Sequence, residues 1–232
     1  MYDPNADAAP FNPLPPVIWA LTALILLPEL VLSLADRGLI GGPTAIGWRS
    51  EAIRTLGFFD PLFDWMLENG QFPIQGTYRL LSYVLVGDGF IPTLIAAVIL
   101  LALGNVVGRV FSPLSVVAGF ALSAFIGAIT FGLVEPSQDL LIGAFPAVYG
   151  IMGMYSFALL AVARSKGAHP ATAFRLPVAL IVFQLIFWVA FGAVGSLTAD
   201  IGGFLAGFGV SYLIGPGSAA RIRGWRDSLR SR

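Results

Sequence analysis

The sequence predicts an all-α membrane protein of six transmembrane helices, with a helical loop at the membrane interface between spans one and two. Three observations carry this. Of 232 residues, 57% are hydrophobic and 11% charged, with a mean hydropathy of +0.84, far from the composition of a soluble globule. Apolar runs recur near residues 17–35, 90–107, 114–134, 141–162, 176–195 and 197–214, each suited to a hydrocarbon core of ~30 Å at ~1.5 Å per residue. Six spans place Arg109, Arg164, Lys166, Arg175 and the tail arginines Arg221, Arg223, Arg226, Arg230 and Arg232 on one side, while Arg37, Arg49, Arg54 and Arg79 fall on the other. By the positive-inside rule both termini are cytoplasmic, and the short loops lead to the expectation of an integral protein of a bacterial inner membrane.

Taken in order, residues 1–16 are a flexible Pro- and Asp-containing lead, and Asp3 and Asp7 argue against a cleaved signal peptide. Residues 17–214 form the membrane domain, and 215–232 a basic tail. Span one carries Pro28 and Glu29. A carboxylate in hydrocarbon costs about 2.5 to 3.5 kcal/mol unless it is paired or near an interface, so Glu29 is read as reaching polar loop groups or another span. The segment from 36 to 88 is the longest polar one. Within it Ile53, Leu56, Phe59, Leu62, Phe63, Met66 and Leu67 recur at helical spacing, as in helices lying in the interface. His169 sits in a cationic loop after span four and reads as a solvated side chain.

Composition also excludes functions. There are no cysteines, which removes disulfides and thiolate sites, and one histidine rules out a histidine metal cluster. No phosphate-binding glycine pattern is present. No cofactor or metal is expected. The tail arginines follow a span directly and read as an anchor to anionic lipid rather than a nucleic-acid site, so the bilayer is the first partner.

The stretch 139–155 is the centre of the chain, with Gly143, Gly150 and Gly153 and a proline at 146 inside an apolar run. In the last span Gly203, Gly207 and Ser211 fall on one face at i, i+4 spacing, which lets helix backbones touch. Gly143, Gly150, Gly203 and Gly207 are therefore expected to pack span four against span six.

The run Gly143-Ala144-Phe145-Pro146-Ala147-Val148-Tyr149-Gly150-Ile151-Met152-Gly153 resembles the fourth span of the rhomboid intramembrane proteases, whose pattern there is Gly-x-Ser-Gly followed by apolar residues and a Gly-x-x-Gly repeat. Ala199-Asp200-Ile201-Gly202-Gly203 with Gly207 is similar to the last span of that family, which reads Ala-His with glycines three and seven positions on. Tyr78-Arg79 sits where rhomboids carry a Trp-Arg pair before span two. The resemblance covers about residues 75–214. It implies a six-span rhomboid-like bundle with a lateral opening between spans two and five.

At the family's reactive positions the chain departs from it. The nucleophilic serine falls on Phe145, whose ring has no atom able to attack a carbonyl. The histidine falls on Asp200, and the oxyanion positions of span two on Pro92 and Ala96, neither of which has a side-chain donor. The resemblance thus implies a pseudoprotease that keeps the scaffold and binds, retains or helps assemble a transmembrane helix of another protein. Phe145, Pro146, Tyr149 and Asp200 would line the former active site, with Asp200 and Tyr149 hydrogen-bonded to one another. Two alternatives stay open. One is a rhomboid serine endopeptidase using another hydroxyl among Ser82, Ser156, Ser196 and Ser211; the other is a small ion or proton-coupled transporter built on Glu29 and Asp200.

Overall fold

The computed structural model describes residues 14–134, 140–167, 169–182 and 196–215. Among the described residues, five helices are long and apolar enough to cross a membrane: α1 Pro16–Asp36, α6 Phe90–Val110, α7 Pro113–Val134, α8 Phe145–Ser165 and α10 Leu197–Ile214. A 3-10 turn at Pro170–Phe174 leads into α9, helical from 175 to 182. The rest of the predicted fifth span, the acidic turn at 135–139, most of the N-terminal lead and the tail from 216 lie outside the described residues.

Between α1 and α6 the chain folds into short helices, α2 Trp48–Leu56, α3 Asp60–Asn69, α4 Ile74–Thr77 and α5 Arg79–Ser82. The even helical spacing predicted through residues 53–67 is interrupted. At Gly57 the backbone turns extended, with ψ 147°, and Phe58–Phe59 form a strand, β1. β1 pairs antiparallel with β2, Leu140–Leu141, through Phe58 opposite Leu141 and Phe59 opposite Leu140. A side chain at Gly57 would sit 2.6 Å from the Ile53 carbonyl oxygen and 2.8 Å from a Leu140 methyl, so a bare backbone is needed for this approach. The loop then tucks inward. Phe58 is buried, with its ring 5.5 Å from that of Phe63 and 5.9 Å from that of Phe131 on α7.

The end of α2 is capped by tertiary contacts. A helix leaves its last carbonyls without intrahelical donors. Arg79 Nη2 donates to the Arg54 carbonyl at 2.7 Å, Tyr78 Oη to Thr55 at 3.0 Å, Ser82 Oγ to Leu56 at 2.8 Å and Arg79 Nη1 to Gly57 at 3.0 Å. The arginine also lies over the Phe59 ring, 5.3 Å from its centre, and puts a cation at the negative end of the helix dipole.

α7, α8 and α10 form the tightest layer of the core. A Cβ at Gly203 would overlap the Pro146 carbonyl, and one at Gly207 the Gly150 carbonyl. At Gly153 it would meet the Phe204 carbonyl and, at 2.7 Å, the Phe208 amide. In lipid the driving force for helix association is close van der Waals contact rather than exclusion of water, and these small residues permit it. Gly143 differs from this set: it precedes α8 with φ 96° and has nothing within 4 Å of a would-be Cβ. It shapes the turn and does not pack helices.

Candidate functional site

The site is built around the start of α8. The span predicted to begin at 141 begins as a helix at Phe145, because Leu140–Leu141 are in β2 and Gly143 takes a left-handed φ that a side chain would oppose. Gly143 donates its amide to the Tyr83 carbonyl at 3.1 Å. Pro146 then occupies the first turn, where a missing N–H costs no hydrogen bond. Phe145 is half-buried against the core, and Pro146 and Tyr149 are buried.

α7, α10 and Tyr83 converge on α8 at Pro146, the residue after Phe145. A Cβ added to Gly127 of α7 would lie 2.7 Å from Pro146 Cβ, 3.0 Å from the Ala199 carbonyl oxygen and 3.5 Å from Tyr83 Oη. Tyr83, fully buried in the short turn before α6, donates to the Ala124 carbonyl at 2.9 Å. Asp200 is 1% exposed in the first turn of α10. Ser196 caps that helix by accepting the Ala199 amide at 3.1 Å. The Asp200 carboxylate lies near enough to act electrostatically on both the Tyr83 and the Tyr149 hydroxyl. Burial first, and then this carboxylate, push the Tyr83 hydroxyl well above the ordinary tyrosine pKa.

Pro92 and Ala96 lie on α6, which packs against α8. Ala96 is buried and Pro92 half-buried. His169 is at the other end of α8 from Phe145, beyond a helix of 21 residues, a separation of about 30 Å. It is exposed, and its Nδ1 accepts the Ala171 amide at 3.2 Å. Ser82 and Ser211 donate to the carbonyls of Leu56 and Gly207. Ser156 is fully buried, and its hydroxyl has no partner among the described residues.

A family model described as the Rhomboid domain matches residues 75–217, well over half of the chain. The chain belongs to the rhomboid family. Rhomboids are usually serine proteases, so the chemistry at the start of α8 is the question that membership poses. No curated protein matches the chain. The matched segment begins at α4 and takes in the Tyr78 and Arg79 capping contacts, Tyr83, α8 and α10; α1, α2 and α3 lie before it.

Two parts of this rhomboid were not legible as sites in its sequence. Tyr83 lies in a short apolar turn whose pattern gives no hint that its ring reaches α7. Glu29 stood out as a buried acid, but its partner is 20 residues away: Arg49 Nη2 donates to Glu29 Oε1 at 2.8 Å and Nη1 to Oε2 at 3.1 Å. Glu29 also accepts Ser33 Oγ at 2.6 Å. Of the two readings the sequence left open, Glu29 takes the contact with a loop residue.

Proposed function

We propose that this rhomboid is a catalytically inactive pseudoprotease that holds a transmembrane helix of another membrane protein, either to retain it or to help it assemble. The observation that carries the reading is the placement of the single histidine. Acyl transfer by a serine needs a base within about 3 Å of the hydroxyl, and His169 lies a whole helix away from the start of α8. At that start Phe145 takes the place of the family's nucleophile, Asp200 that of its base, and Pro92 and Ala96 those of its oxyanion donors. What remains is the half-buried Phe145 ring over a buried polar cluster, Asp200 and Tyr149 with Tyr83, that a docking helix would have to part to reach. Such a cluster favours a helix that carries a hydrogen-bonding group in mid-membrane, where few other partners exist. Asp200 and Tyr149 are proposed to hydrogen-bond across α8 and α10, with Pro146 in the contact between those helices.

The charge distribution supports both termini on the cytoplasmic face; the membrane is proposed to be a bacterial inner membrane, with residues 1–16 as a lead, 17–214 as the six-span domain and 215–232 as a lipid-facing basic tail. The test is a photoreactive amino acid at position 145 in native membranes. A discrete cross-linked membrane protein, lost when Asp200 is changed to Ala, is the expected result. Cleavage of a model transmembrane substrate by the purified protein, abolished by changing one serine, would instead establish a protease.

A further inference from the structure

A cavity of about 280 Å³ opens at the end of the bundle where α1 finishes and α6 begins, lined by Ser33, Asp36, Arg37, Arg49, Ile53, Gly87, Asp88, Gly89, Phe90 and Ile142. It is far from neutral in its chemistry. Arg49 is already committed: it binds Glu29, Asp36 through Nε at 2.5 Å, and the Gly87 carbonyl at 2.9 Å. Its bond to Glu29, helped by Asp36, holds the guanidinium above its ordinary pKa in spite of partial burial. Arg37 and Asp88 are different. Both are exposed, both line the cavity, and among the described residues neither has an ion-pair partner, not even the other.

Opposite charges that share a cavity without meeting leave space for a ligand carrying both signs. We propose that this cavity binds a phosphoethanolamine group, supplied by the headgroup of a membrane phospholipid. The phosphate faces Arg37 and the opening turn of α6, whose first amides lack intrahelical acceptors. The ammonium faces Asp88 and the Asp36 oxygen that Arg49 does not use. With Glu29 included, carboxylates outnumber guanidiniums around the cavity, which disfavours a purely anionic ligand. The depth also fits. The cavity sits at the ends of two spans, with apolar Ile53, Phe90 and Ile142 in its wall and exposed Leu39 and Ile91 beside it in the chain, so a glycerol backbone and acyl chains have apolar surface to follow. Half of the lining, including Asp36, Arg37 and Arg49, precedes α4, outside the segment that matches the rhomboid family.

The experiment is native mass spectrometry of the full-length protein from detergent mixed with equal amounts of phosphatidylethanolamine, phosphatidylcholine and phosphatidylglycerol. Phosphatidylethanolamine is expected to be retained in preference to both others, because a trimethylated ammonium has no N–H to donate and a glycerol headgroup has no cation. Arg37→Ala and Asp88→Asn are each expected to reduce that retention about two- to fivefold, the scale for losing one partly exposed charge contact, while Arg37→Lys restores most of it. Melting temperature reports whether the variants fold. Equal retention of the three lipids, or variants that fold and retain lipid like the parent, would overturn the proposal. Free phosphoethanolamine is the second arm: displacement of the lipid at equimolar concentration would rule out a membrane source.

Discussion

Arg49 Nη2 meets Glu29 Oε1 at 2.8 Å, and this pair ties the loop between the first two spans to the interior of α1. The carboxylate is fully buried, while the guanidinium keeps some contact with solvent and also reaches Asp36 and the Gly87 carbonyl. α1, α2 and the approach to α6 are thus joined at one side chain. Removing one partner of a buried pair strands the other's charge, whereas removing both does not.

Arg49→Ala is therefore expected to destabilise the protein by about 3 kcal/mol, the low end for breaking a buried ion pair. The double change Glu29→Gln with Arg49→Ala is expected to recover much of that loss. Reversible unfolding in mixed micelles would measure both, and a double variant no better than Arg49→Ala would mean that the stranded charge is not the cause.

The glycines of α10 allow an internally controlled comparison. Gly207→Ala would push a methyl group onto the Gly150 carbonyl, while Gly209→Ala on the same helix meets nothing within 4 Å. The first is expected to cost about 1 to 3 kcal/mol, as overpacking does, and the second to change stability by less than about 1 kcal/mol. Equal effects on thermal melting would rule out backbone contact between α8 and α10 as the reason.

Arg79→Lys keeps the charge but not the fork that reaches the Arg54 and Gly57 carbonyls together. Faster amide exchange confined to α2 and the β1–β2 pair is the expected outcome. Unchanged exchange there would show that α2 holds its own end.

Tyr83→Phe removes the one donor from the buried Ala124 carbonyl that this hydroxyl supplies. A loss of about 1 kcal/mol is expected, the net worth of one hydrogen bond, because the Ala124 carbonyl keeps its own helical donor inside α7. The same reasoning applies to Asp200→Ala if its carboxylate holds Tyr149; a melting temperature unchanged in detergent would dispose of that tie.

Phe145→Ser restores a hydroxyl at the start of α8 without a base to activate it. No cleavage of a transmembrane substrate is expected from this variant in a gel assay, and measurable turnover by it would contradict the inactive reading.

Hydropathy alone located α1, α6, α7 and α10 close to their ends, because the cost of placing a residue in lipid is local and adds along the chain. Glycine spacing in α8 and α10 and the Tyr78-Arg79 pair pointed to the family for a similar reason: close helix packing leaves its mark at fixed short intervals. The tertiary structure decided the rest. Two-residue strands have no period to detect, so the pairing of Phe58 with Leu141 depends on α7 bringing distant segments together. Glu29 announced that it needed a partner, but several arginines were eligible. Only the folding of the loop over α1 selected Arg49, since the energy of an ion pair depends on distance in space and on burial, neither of which is written in sequence separation.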